Sequence, residues 1–288
     1  MSFVPRLPDE SVNTSDTHPL REALVLVAGV VVLGFAAVLV LGWSLGLILG
    51  LIPPRLEVRI FEAFGASMVD EAENDERNEE VQALLDRLAT HWPDAPYSFR
   101  SSIVSNEAPN AFAVPGGLVL VTSGLLERME SENELAFVLA HELGHFRNRD
   151  HIRSLGRGLA AGLIWTAVGQ SEGAGANLLQ LGQLLGARRF DREQESAADA
   201  FGLEIIQREY GHVAGAGDFF GKLPDAATGE AGGIEKELAG YLSTHPVSEH
   251  RIEALEVLAR ERGWSDHAAT RPFHVVGPVG RGDAEVQP

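Results

Sequence analysis

The chain has 288 residues, with 23 basic and 41 acidic side chains and a formal net charge of −18. That acidity excludes nucleic acid as a main partner, because phosphate binding needs clustered Lys and Arg. The absence of cysteine excludes disulfides, thiolate metal ligands and thiol nucleophiles. The mean hydropathy of zero conceals a segregated chain. Residues 1–22 are polar and contain prolines, so they read as a flexible tail. No charged residue then occurs between Glu22 and Arg55, and the stretch is rich in Leu, Val, Ala and Gly. About 20 helical residues cross a bilayer core, so residues 23–52 predict a single transmembrane helix stopped by Pro53 and Pro54. A cleaved signal peptide fits poorly, because its apolar region is about 7–15 residues long.

Arg6 and Arg21 on one side of this span balance Arg55 and Arg59 on the other, so basic residues barely orient it. The preferred reading keeps the short tail in the cytoplasm and exports the large domain. Residues 1–52 carry two basic and four acidic side chains, which leaves −16 of the −18 in residues 53–288.

Residues 53–269 read as one mainly helical domain, followed by a mobile C-terminal tail over 270–288. The acidic run at 70–76 reads as a solvated entrance to an amphipathic helix bearing Val81, Leu84, Leu85 and Leu88. Residues 97–122 predict strands around the turn Pro115-Gly116-Gly117. A helix is expected from Ser131 to about Asp150, with Ser131 and Glu134 spaced as a capping box. Residues 155–187 are Gly-, Ala- and Leu-rich. They are expected to form a soluble helical pair over the site, with a membrane-dipping hairpin as the alternative. Further helices are expected over 191–208 and 248–260.

His141-Glu142-Leu143-Gly144-His145 is the strongest chemical signal. Four residues apart on a helix, His141 and His145 project from one face and can offer imidazole nitrogens to one metal ion. Glu142 then stands beside that ion, where a carboxylate can take a proton from water. A catalytic zinc takes three protein ligands, and the residues leave the third open. His151 stands where an extended HExxHxxGxxH pattern puts its last His, although Asn148 replaces the turning Gly. Glu195 is the stronger candidate. It shares a helix face with Asp199, so one carboxylate can bind metal while the other accepts the outer N–H of a ligand imidazole. Glu193 is a possible substitute. His245, followed by Pro246, sits in a loop and is either a surface residue or a donor to a developing oxyanion. Arg251 either binds a carboxylate of the site or packs the last helix. His212, His250, His267 and His274 match no ligand spacing.

HELGH followed at a distance by Glu195-Ser196-Ala197-Ala198-Asp199 resembles the M48 zinc metallopeptidases, the family of the CAAX prenyl endopeptidase and HtpX-like gluzincins. The resemblance covers roughly residues 75–260. It includes Asn110 to Gly117, Gly124-Leu125-Leu126, Glu134 to Ala140, Asp191 to Asp199, and His245-Pro246 ahead of Arg251-Ile252. It implies an α+β, mainly α, zincin-like (gluzincin) domain with a small sheet, following the transmembrane helix. It further implies one catalytic Zn2+ held by His141, His145 and Glu195, with Glu142 as general base. Asp199 would orient a ligand histidine, most naturally His141. Asn110, Ala111, Phe112 and Ala113 would form a strand that pairs with an extended substrate, although an ordinary edge hairpin fits equally well. In similar enzymes a histidine placed like His245 is proposed to occupy the zinc's open position in a latent state.

The expected protein is therefore a single-span endopeptidase of bacterial type, in the inner membrane, acting on misfolded membrane or envelope polypeptides. The rival from another class is a chaperone or assembly factor that keeps the zinc fold but rarely cuts. The intact Glu142 favours the enzyme, because a purely structural zinc has no use for it.

Overall fold

A computed structural model describes residues 18–61, 76–154, 191–221, 245 and 249–273. The expectations for 155–187 and for the acidic run at 70–75 fall outside the described residues.

Helix α1 spans Pro19–Gly50, with Pro19 in the first turn where a missing N–H costs nothing. Most of its described Leu, Val and Phe side chains, from Leu20 to Leu47, are exposed. A stretch from Pro19 to Leu41 is long and apolar enough to cross a membrane. A second helical segment, α2, covers 54–61 directly after the proline pair. Helix α3 (Arg77–Ala89) buries Val81, Leu84, Leu85 and Leu88, the stripe its periodicity predicts.

Strands β1 (Arg100–Val104), β2 (Ala111–Val114) and β3 (Leu118–Thr122) form a mixed sheet in the order β1-β3-β2. β1 runs parallel to β3 and β2 antiparallel to it. The β2–β3 turn needs glycine twice. Gly116 and Gly117 have φ of 93° and 89°, and a Cβ on Gly117 would lie 2.9 Å from the Ser98 carbonyl oxygen. β3 is buried along its whole length, which leaves β2 as an edge strand.

A short turn, α4 (Ser123–Leu126), leads to α5 (Glu132–Asn148). Ser131 Oγ caps α5 by accepting the Glu134 N–H, while the Glu134 carboxylate takes the Glu130 N–H. α5 is buried on all sides from Asn133 to Phe146, so it is a central helix rather than an amphipathic one. α6 (Arg192–Tyr210) begins at a complete capping box between Asp191 and Gln194 and crosses α5 closely. The crossing depends on small residues. A Cβ on Gly144 would lie 2.7 Å from Ala198 Cα, and one on Gly202 would lie 3.2 Å from the His141 nitrogen. A helical stretch over 150–154 follows the turn at Arg149, and a short α7 (Asp218–Gly221) and α8 (Glu249–Arg262) are the other helices among the described residues. Residues 270–273, assigned by sequence to the mobile tail, are docked. Glu132 N–H donates to the Arg271 carbonyl and Arg271 N–H to Asn133 Oδ1.

Candidate metal centre

α5 carries His141 and His145 one turn apart, with ring centroids 4.7 Å from each other. α6 brings up Glu195, and His245 enters from the segment before α8. One donor atom from each of these four buried residues lies within 4.8 Å of the others. His141 Nε2 is 3.1 Å from His145 Nε2 and 3.2 Å from His245 Nδ1. Glu195 Oε1 is 3.4 Å from His145 Nε2 and 3.1 Å from His245 Nδ1. Four tetrahedral ligands about 2.0–2.1 Å from a zinc ion stand about 3.3–3.4 Å apart, so this donor set fits that ion in both spacing and chemistry. Imidazole nitrogens converging this closely with a carboxylate are otherwise hard to accommodate out of water.

The surrounding groups hold these donors in place. His141 Nδ1 lies 2.9 Å from Asp199 Oδ1, which turns Nε2 inward. Arg251 donates from Nε and Nη2 to both Asp199 oxygens at 2.8 and 2.7 Å, and its Nη1 is 2.6 Å from Glu195 Oε2. Of the two roles open to Arg251, the structure therefore has it clamping both carboxylates, and it also lies over the Phe220 ring. His145 Nδ1 is 3.1 Å from Asp150 Oδ2, and Gln194 Nε2 donates to Asp150 Oδ1 at 2.7 Å. Sequence reasoning missed Asp150 and Gln194. The capping pattern at Asp191 flags Gln194, but nothing in the local spacing flags Asp150.

Charge is distributed unevenly across the centre. Burial lowers the His141 pKa despite the neighbouring Asp199, so this ring is neutral at pH 7. Burial also opposes charge on His145, but its hydrogen bonds to the Asp150 and Glu195 carboxylates prevail and push it up to about 10. Burial would raise the carboxylates. Instead the neighbouring His245 and His145 hold Glu195 well below its ordinary value, and His141 and Arg251 hold Asp199 down.

Glu142 Oε2 accepts the backbone N–H of Ala113 at 2.8 Å. Its Oε1 accepts no hydrogen bond among the described residues and lies 3.5 Å from His245 Nε2. The β2 edge therefore abuts the centre, with Asn110, Ala111 and Ala113 buried and Phe112 half-buried. His245 is 1% exposed, which disposes of the surface-loop alternative.

His151 stands apart from the donor group. Its Nε2 is 2.7 Å from Glu57 Oε1. The extended pattern needs a turn at Asn148, but α5 continues through Asn148 and turns at Arg149, which has φ of 60°. Glu193 is exposed on α6, whereas Glu195 is buried. His212 and His267 lie outside the group.

The sequence model of Peptidase family M48 matches residues 72–259, so the chain belongs to that family of zinc-dependent metallopeptidases. The chain is 31% identical over 184 residues to the beta-barrel assembly-enhancing protease of Escherichia coli K12. That match covers 60% of this chain and 37% of the relative. Identity to the mitochondrial metalloendopeptidase OMA1 of Schizosaccharomyces pombe is 34% over 180 residues, 61% of this chain and 51% of that one. A protease HtpX homolog of Salinibacter ruber is 29% identical over 228 residues, 69% of this chain and 80% of its own. The chain thus spans about half or less of the first two relatives.

Proposed function

We propose that the protein is a membrane-anchored zinc endopeptidase whose His141, His145 and Glu195 hold the ion. The convergence of these donors beside the Glu142 carboxylate carries this reading. His141, His145 and Glu195 would hold the zinc, which when bound would lower the pKa of a water and polarise the scissile carbonyl. Glu142, held by the Ala113 N–H, takes the water's proton through its Oε1 side and returns it to the leaving amide nitrogen. Asp199 fixes the ring of His141, Asp150 that of His145, and Arg251 restrains both acidic partners. The β2 edge from Asn110 to Ala113 offers backbone groups to an extended polypeptide, and such a substrate needs no particular side chain to be aligned.

The Escherichia coli relative is named for beta-barrel assembly, which supports misfolded envelope or membrane proteins as substrates and an exported catalytic domain. α1 supports a single-pass anchor, most simply in a bacterial inner membrane. Cleavage of an unfolded outer-membrane polypeptide is expected, with loss of activity in chelator and recovery on adding zinc. Cleavage undiminished by chelator contradicts the reading.

The position of His245 favours a latent form. Its Nδ1 lies 3.2 Å from His141 Nε2 and 3.1 Å from Glu195 Oε1, so with zinc bound it would compete for the position that a water needs for hydrolysis. His245 then acts as a gate that must swing away, after which it can donate to the oxyanion. His245→Ala is expected to raise basal cleavage several-fold. A fall in cleavage with unchanged zinc content supports the oxyanion role alone.

A further inference from the structure

Glu57, on α2, is a carboxylate with no exposed surface, remote in sequence from every residue of the centre. Its Oε1 accepts the Gly116 N–H at 3.2 Å and faces His151 Nε2 at 2.7 Å. Its Oε2 accepts from Tyr97 Oη and from Arg149 Nη2, both at 3.1 Å. Burying a charge costs several kcal/mol unless it is paired and hydrogen-bonded, so such a group persists where its partners are held in return. Two of those partners form the exit from α5.

Arg149 caps α5 in the left-handed conformation, which costs a non-glycine residue about 1–2 kcal/mol and marks a position held by its surroundings. Its guanidinium reaches α1 and α2 together. Nη1 donates to the Gly50 carbonyl at 2.9 Å while Nη2 pairs with Glu57. The turn sends the chain back onto His145. Asp150 meets the ring at Nδ1, and His151 Nδ1 lies 3.3 Å from the His145 carbonyl oxygen. α2 also rests on the β2–β3 turn, where a Cβ on Gly116 would lie 3.2 Å from Phe61 Cβ.

We propose that Glu57 is a positioning residue for the metal centre: by holding Arg149 and His151 it fixes the left-handed end of α5, and that turn sets the orientation of His145 through Asp150. The segment joining the membrane anchor to the catalytic domain is then a working part of the site, beyond its role as a tether. The inference rests on the zinc peptidase reading above.

The test uses the full chain in detergent micelles and compares wild type with Glu57→Ala and Glu57→Gln. Arg55→Ala and Arg59→Ala, exposed on the same segment, serve as controls. Zinc retention against a graded chelator is read first, then kcat and KM on an unfolded soluble polypeptide. Loss of groups that orient metal ligands weakens metal binding about 10–100-fold. Glu57→Ala is expected to weaken zinc retention at least tenfold and lower kcat by a similar factor, with KM within twofold of wild type. Glu57→Gln, which keeps an acceptor for Gly116 but loses the Arg149 charge pair, should fall between, and the controls should match wild type. A Glu57→Ala protein that melts earlier but keeps wild-type zinc retention and kcat overturns the proposal. If that variant does not fold, wild-type retention and kcat in Glu57→Gln overturn it equally. A wild-type chain that holds no zinc defeats the peptidase reading itself, before any variant is compared.

Discussion

His141 and His145 stand one turn apart, yet their surroundings assign them different protonation states. Burial leaves His141 neutral with a lone pair turned inward, while Asp150 and Glu195 keep a proton on His145 up to about pH 10 in the metal-free protein. A metal ion must displace that proton, so zinc binding at pH 7.5 should release about one proton per ion. Calorimetry in buffers of different ionisation enthalpy measures it, and a heat independent of buffer contradicts it. The same groups set the stability of the metal-free form. The raised pKa of His145 gives stability that is complete below the ordinary value of 6.5 and is lost as pH rises towards 10. The lowered pKa of His141 works oppositely, costing stability as pH falls below 6.5. Asp199 and Glu57, both depressed, add a steeper loss as pH drops below their ordinary values of 3.8 and 4.5. Melting temperatures from pH 4 to 10 should therefore decline on both sides, and zinc should abolish the alkaline decline by taking the place of the His145 proton. An alkaline decline that survives saturating zinc contradicts this assignment.

The contact of α5 with α6 decides whether two ligands from one helix meet a third from another. In an exposed helix, replacing Gly by Ala gains about 1 kcal/mol. Gly144 reverses that sign, because its Cβ would strike the Ala198 backbone at 2.7 and 2.9 Å. Overpacking of this kind costs about 1–3 kcal/mol. Gly144→Ala should lower the melting temperature by about 2–4 °C per kcal/mol lost. It should also weaken zinc retention, since Glu195 lies one turn before Ala198. An unchanged melting temperature would show that the helices part freely. This contact also marks how far the sequence could be read. The His141–His145 spacing, the Ser131 cap and the α3 stripe are local patterns, and each is legible without a structure. The Glu195–Asp199 pair is legible once HELGH supplies a reason for it. Asp150 and Glu57 were hidden, because they act through a left-handed turn at an arginine, a conformation no residue pattern announces. The burial of α5 on every side was equally hidden, since its many Glu, Asn and His residues carry no sign of it.

The chain joins a helix apolar enough to cross a membrane to an acidic catalytic domain, and −16 of the −18 charge lies beyond residue 52. An acidic domain is repelled by anionic lipid, so on the proposed reading its closeness to a membrane would depend on α1 and on the Arg149–Gly50 and Arg149–Glu57 contacts rather than on surface adhesion. α1 exposes most of its described Leu, Val and Phe side chains over a length that crosses a bilayer, so the chain should stay with membranes through high salt and leave only in detergent. Within the domain every step of the proposed hydrolysis converges on Glu142, which is held by a backbone N–H and lies 3.5 Å from His245. Replacing it by Gln keeps its shape and its place beside the ion but removes the base. The decisive measurement is therefore zinc content and peptide-bond cleavage in the same preparations of wild type and Glu142→Gln. Equal zinc, near one ion per chain, with cleavage reduced at least a hundredfold in the variant is the predicted result. Cleavage by Glu142→Gln at the wild-type rate, or a wild-type chain that binds no zinc, contradicts the account.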